Sequence, residues 1–440
     1  MQLAPFVVIG AALSLAVVQG SQGGSSALER GEALFTKDFH LEDGLGAPQM
    51  NADSCRACHR DPTVGGAGPL ELNVSRFGRD NGGQGPFQNL PGGQGLSKLF
   101  PPRIYLGDST AVTNPPEAVT LQEAGAGWEE DQWAGALVRD LATGAVSRVA
   151  SNNADTLNLA LPWSGGATVA VGPYRLSLAA AREEYPGGFG AGAADCFEQR
   201  QTPSLFGVGM IDQIAGAVIT ANEDPLDANG DGIFGIARRI DINGTIEIGR
   251  FGWKSQIPRL RDFTNDALIA EMGITTPDDG RGFALDRDDD PIADPELTTE
   301  QVTDLTLYMA SLPAPQRGGS TDPRVMEGLR HFNNLGCATC HIPELPGPNG
   351  PVRLYSNLLL HNVMPPGYRG MEEQGAGNGM FRTPPLWGIK HTAPYMHDGR
   401  AEDLTGAILA HYGEADSARQ GFAAMDDEQR GALLLFLEDL

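Results

Sequence analysis

Three stretches of the chain repeat apolar residues at the three-and-four spacing of a helix face. Leu297 to Leu312 is one, with Thr298 and Gln301 placed as a capping box at its start. Asp426 to Leu440 is the second, and in Leu404–His411 the positions Leu404, Ala407, Ile408 and His411 share one stripe. Between residues 130 and 180 the period falls to two. Thr168–Val171 and Tyr174–Leu178 alternate there and predict short strands. Residues 61–100 are rich in glycine and predict loop. Phe6 to Val18 is apolar throughout yet too short to span a bilayer comfortably. With Gly20-Ser21 behind it, residues 1–20 read as an export signal, the other readings being an uncleaved anchor or a buried N-terminal helix. No later stretch reaches 18 apolar residues, so no membrane span is expected after signal removal.

Composition narrows the class. The 440 residues are 41% hydrophobic and 20% charged, which excludes general disorder and allows two large domains or three smaller ones. Lys and Arg total 31 against 56 Asp and Glu, a net charge of −25. Such a chain repels phosphate backbones, so nucleic acid is excluded as a partner. The five cysteines (Cys55, Cys58, Cys196, Cys337, Cys340) make a poor disulfide framework for an exported chain. Four of them form Cys55-Arg-Ala-Cys58-His59 and Cys337-Ala-Thr-Cys340-His341. Two thiols three apart can bond the two vinyl groups of a haem, and the adjacent histidine reaches the iron. Two covalently bound c-type haems are therefore expected, with His59 and His341 as proximal ligands. Cys196 receives no role.

A faint duplication surrounds these motifs. Gly31-Glu-Ala-Leu-Phe35 precedes the first and Gly328-Leu-Arg-His-Phe332 the second, and each is followed by one of the long amphipathic helices. Pro313-Ala-Pro315 and Arg317-Gly-Gly319 mark a linker. The expected fold is mainly α, with two cytochrome c-like haem domains at 25–315 and 320–440. Long loops and a short-stranded β insertion enlarge the first.

Other segments resemble the bacterial di-haem oxidoreductase family, relatives of the di-haem cytochrome c peroxidases. They are Gly44-Leu-Gly46 leading into Cys55–His59, Thr202-Pro-Ser-Leu-Phe-Gly-Val-Gly-Met-Ile-Asp212, Asp227-Ala-Asn-Gly-Asp231, Gly249-Arg-Phe-Gly-Trp-Lys254, Tyr355-Ser-Asn-Leu-Leu-Leu-His361, and Phe381-Arg-Thr-Pro-Pro-Leu-Trp-Gly388 with His397-Asp-Gly-Arg400. The resemblance implies a periplasmic enzyme passing electrons from a second haem to a reactive first haem, with a redox protein as donor or acceptor and peroxide as a small-molecule substrate. A pure electron-transfer cytochrome with both irons six-coordinate is the alternative, and oxidation of a protein side chain a third reading.

Spacing alone favours His411 as an ordinary core histidine over a ligand. The resemblance implies a ligand of the second haem, because His411 lies fourteen residues after His397 of Pro394-Tyr-Met-His397. Where relatives can carry a displaceable histidine for the first haem, this chain has Ser75. That iron is open, or His40, Met50 or Met210 closes it. The Glu of the relatives' Glu-Met pair corresponds to Glu271, while Arg261 replaces their Gln. Glu271 is thus the candidate acid–base group. Trp387 and Trp253 are candidate electron stepping points, and Arg382 suits a haem propionate. His361 and His397 are expected beside the ligands rather than among them.

Calcium has two candidate sites. Asp227, Asn229 and Asp231 stand at positions 1, 3 and 5 of an EF-hand-like loop, but position 12 is Arg238, leaving Glu223 or Asp224 as substitute anchors. An Asx-rich turn explains the loop equally well. The resemblance also implies Ca²⁺ at Thr392-Ala-Pro394, with Gln201 in place of the relatives' Asn.

Overall fold

The computed structural model describes residues 26–440 except 47–50, 80–85, 88–95, 100–102, 115–118, 134–135, 144, 160–162, 164–166, 179–195 and 289–290. The signal at 1–20 and Met50 lie outside the described residues. None of the described helices is long and apolar enough to cross a membrane. The fold is mixed rather than mainly α: about 30% helix and 18% strand, with a β-rich N-terminal region.

The duplication is visible as two helix pairs. Ala27–Thr36 packs on Thr299–Ser311, and Pro323–Asn334 packs on Asp427–Glu438. Capping boxes at Ser26/Glu29, Thr298/Gln301 and Asp426/Gln429 satisfy the free N–H groups of three of these helices, and Asp322 caps the fourth. A glycine sits at each crossing. A Cβ on Gly31 would collide with Asp304 O, and one on Gly328 would collide with Ala432 O. Each pair also aims a phenylalanine at its haem motif: Phe35 at His59 and Phe332 at His341, both with ring centroids 6.4 Å apart.

The insertion accounts for the excess strand. Arg103–Asp108, Pro173–Leu178, Leu137–Asp140, Val146–Asn152, Thr156–Leu159, Thr120–Gln122 and Ala111–Thr113 form, in that order, one antiparallel seven-stranded sheet. Trp128, Trp133, Trp163, Tyr174 and Leu176 give it an apolar core of its own. At its centre Glu123 accepts hydrogen bonds from Tyr105 at 2.7 Å and Tyr174 at 2.5 Å. Of the two alternating segments, Tyr174–Leu178 is strand. Thr168–Val171 is not; Val169 instead exchanges two hydrogen bonds with the Asn114 side chain. The 61–100 region also departs from the loop expected, because Val74–Gly78 pairs with both Leu96–Leu99 and Cys196–Arg200. Pairing with partner strands, one of them more than 100 residues away, and not local glycine content, decides those strands.

The main core joins Phe35, Leu205, Leu260, Met272 and Leu305 to Leu345, Leu354, Leu359 and Trp387. The two haem-motif halves thus share apolar packing. A further cluster, with Val325, Phe332, Leu404, Phe422 and Phe436, surrounds the second motif. The linker is pinned to the last helix by Arg317–Asp439 at 2.6 Å and by Gly318 N donating to Asp439 O.

Candidate haem and electron-transfer site

Each haem motif is a single helical turn, Cys55–Cys58 and Cys337–Cys340, ending on its histidine. The four thiols are not joined in disulfides. Burial pushes those of Cys55, Cys58 and Cys340 up to about 12 and that of Cys337 to about 11. His59 donates Nδ1–H to Gly66 O at 3.2 Å, and His341 donates Nδ1–H to Tyr355 O at 3.0 Å. This leaves Nε2 as the metal-facing atom and fixes each ring, as ligating imidazoles require. Burial pushes His59 down to about 4 and His341 to about 3, so both are neutral and able to ligate. The residues therefore fit two c-type haems.

His411 follows the helix Leu404–Leu409, which Asp403 caps. Its Nδ1–H donates to Ala407 O at 2.7 Å, the arrangement seen at His59 and His341. After burial, the nearby His411 is the next cause lowering the His341 pKa, with His361 a smaller one, so His411 lies near His341. His361 and His397 are engaged otherwise. His361 bonds Glu414 through Nδ1 and Asn357 through Nε2. His397 stacks on Phe381 at 3.7 Å, and its Nε2 meets Tyr368 OH at 3.0 Å.

Of the residues expected to close the first iron, His40 is exposed and Met210 is 40% exposed. Ser75 is buried in a strand. The helix Leu260–Ala267 runs on as a π turn, Leu268–Met272, which carries Glu271. Glu271 Oε2 accepts from Asn51 Nδ2 at 2.7 Å, and its charge is felt at the Cys58 thiol. Arg261 turns to Thr303 Oγ1 at 2.7 Å. Five residues before Glu271, burial pushes the Asp266 carboxyl up to about 6, in general-acid range. No local pattern signals this, because a helix Asp is ordinarily solvated.

Hydrogen bonds connect the two motifs. Gly68, beside Cys58 O, accepts from the Gln201 side chain. Trp253 Nε1 donates to Gln201 O at 2.7 Å, and Arg382 N donates to Trp253 O at 2.7 Å. Ser356 Oγ donates to Thr383 O, and Asn357 N to Cys340 O. Trp253 lies on this route, whereas Trp387 packs against Gly207 in the apolar core. The Arg382 guanidinium is buried, donates to Gly252 O and Thr383 O, and has no carboxylate partner among the described residues. Burial pushes it down to about 10. A propionate fits it.

Gln201 Oε1 is buried with no hydrogen-bond partner. A Cβ on Gly399 would meet both this oxygen and Pro394, so the Gln201 acceptor and the Thr392–Pro394 segment converge. That orphaned acceptor fits a calcium ion. In the other loop, Asp227 and Asp231 accept from the loop's own N–H groups, and Asp224 from Ala228 and Asn229. Arg238 is committed to Glu373 and Glu223 to Arg239, so neither closes a cation shell there.

The family described as "Di-haem oxidoreductase, putative peroxidase" matches residues 196–440, more than half of the chain. The chain belongs to the di-haem oxidoreductase family. Among curated relatives, this di-haem oxidoreductase is 24% identical to the methylamine utilization protein MauG of Paracoccus denitrificans over 271 residues, 46% of this chain and 69% of that one. Two solved structures show weaker likeness. A MauG-like protein associated with microbial copper homeostasis is 19% identical over 32% of this chain and 56% of its own, at a TM-score of 0.24. Kuenenia stuttgartiensis hydrazine synthase is 15% identical over 55% of this chain and 73% of its own, at 0.31.

Proposed function

We propose that this di-haem oxidoreductase is an exported, periplasmic, peroxidase-like enzyme that exchanges electrons with a redox protein partner. Cys337, Cys340, His341 and His411 hold one haem; Cys55, Cys58 and His59 hold the other. A c-type haem at each motif supplies an iron that exchanges single electrons. The asymmetry of the two motifs carries the reading. His341 has a second imidazole nearby, His411, whose Nδ1 is already committed to a backbone carbonyl, while among the described residues no histidine lowers the His59 pKa in this way. An iron held at His59 would keep a position for peroxide as long as none of His40, Met50 and Met210 closes it. Glu271, steadied by Asn51, is placed to move a proton to or from that position. Arg382 would pair with a propionate, Trp253 would carry charge between the halves, and Gln201, Thr392 and Pro394 would hold Ca²⁺.

The test is ligand binding at the resting protein. One cyanide should bind per chain, and peroxide should be consumed with a reduced donor. Glu271→Gln should slow turnover about 10²-fold while cyanide binding persists. Two low-spin haems, no cyanide binding and no peroxide consumption would make the protein an electron-transfer cytochrome instead.

A further inference from the structure

Glu414 lies three residues after His411, on the short turn that follows the His411 helix. Its carboxylate accepts three N–H groups. His361 Nδ1 and Phe234 N reach Oε2 at 2.8 and 2.9 Å, and Asn362 N reaches Oε1 at 2.7 Å. His361 is 2% exposed, and its Nε2 accepts from Asn357 Nδ2 at 3.0 Å. Asn357 in turn donates its backbone N–H to Cys340 O at 2.9 Å. A continuous chain of hydrogen bonds, Glu414–His361–Asn357–Cys340, therefore joins the His411 segment to the Cys340–His341 motif. The backbone is tied alongside it. Tyr412 N donates to Val363 O, and Gly413 lies so close to Asn362 O that a Cβ there would collide with it.

Charge accompanies the geometry. Burial alone would raise the Glu414 pKa, but the three donors hold it below the usual carboxylate range, so the group is ionised. After burial, its charge is the largest cause raising the Cys340 thiol. With both ring nitrogens engaged, His361 acts as a positioning residue.

We propose that the Glu414–His361 pair clamps His411, the residue that would ligate the second haem iron, and sets a fixed negative charge beside the Cys340 attachment, lowering that haem's reduction potential. The inference rests on His411 being that iron's ligand. A carboxylate near the iron favours the oxidised form, which carries one more positive charge.

Spin state and midpoint potential of the full-length, haem-loaded protein test this. Glu414→Gln keeps an acceptor oxygen but removes the charge; the second haem should stay low-spin and its potential should rise, with the first haem unchanged. Glu414→Ala and His361→Ala remove the clamp and should convert part of the low-spin signal to high-spin, as His411→Ala does in full. A purely structural role would lower the melting temperature and leave spin state and potential as in the wild type, which overturns the inference. If His411→Ala itself leaves the spin state unchanged, the ligand assignment is wrong and the clamp falls with it. If His411→Ala acts and the Glu414 and His361 variants do not, only the clamp falls. Should the alanine variants fail to fold, the potential of Glu414→Gln decides.

Discussion

His411 and Lys254 show how much a single residue's surroundings decide. At His411 the Ala407 carbonyl takes Nδ1–H, so Nε2 is left to ligate. If His411 ligates the second haem as proposed, His411→Ala is expected to turn one low-spin haem high-spin in absorption and EPR spectra. Unchanged spectra would contradict the assignment. Lysine is ordinarily solvent-exposed, and Lys254 ends the family-like segment Gly249–Lys254. It is instead 0% exposed, donates to Gly377 O, Asn378 O and Met380 O, and stands 4.4 Å from the Phe381 ring centre. Burial pushes it down to about 8. No pattern near residue 254 could reveal this, because its acceptors lie more than 120 residues away.

At the level of elements, the two helix pairs depend on a missing side chain. Gly328 allows Pro323–Asn334 to touch Asp427–Glu438, with Ala432 O where a Cβ would stand. Gly328→Ala should therefore destabilise by about 1–3 kcal/mol in denaturant melts, the usual cost of forcing an extra methyl into packed backbone. Gly431 lies inside the partner helix, and a Cβ added there would meet nothing within 4 Å. Gly431→Ala should instead stabilise by roughly 0.5–1 kcal/mol through helix propensity. The contrast separates packing from propensity. Helix periodicity and capping boxes at Thr298 and Asp426 were legible because they are local. The strands at Val74–Gly78 and Leu96–Leu99 were not, since Val74–Gly78 pairs with Leu96–Leu99 on one side and with the distant Cys196–Arg200 on the other.

For the whole molecule, Glu373 ties distant segments together. It accepts from Arg200 at 2.6 Å, Arg238 at 2.7 Å and Arg76 at 2.8 Å, all from the first half of the chain or its junction with the second. Burial alone would raise its pKa, but the three guanidinium groups hold it far below the usual carboxylate range. A depressed carboxylate pKa contributes stability that is present above the unfolded value and lost as pH falls below it. Wild-type stability should thus decline below about pH 4.3, the ordinary glutamate value. Glu373→Ala, which removes the carboxylate from buried Arg238 and half-buried Arg76 and leaves Arg200 only Glu198, should cost about 3–5 kcal/mol at neutral pH by calorimetry or denaturant titration. Chelation should also lower the melting temperature, through Gln201, Thr392 and Pro394. If excess Ca²⁺ produced no recovery, that site would be excluded. Short-range patterns of residue types were enough to specify the two Cys-x-x-Cys-His motifs, the duplication around them, the long helices and the acidic balance. Folding alone settles which histidines have Nε2 free, that Trp253 lies on the hydrogen-bonded route, that Gln201 holds an unpartnered oxygen, and that Glu414 reaches the second motif. Those properties depend on groups far apart in the chain whose donors and acceptors are matched only once the chain has folded.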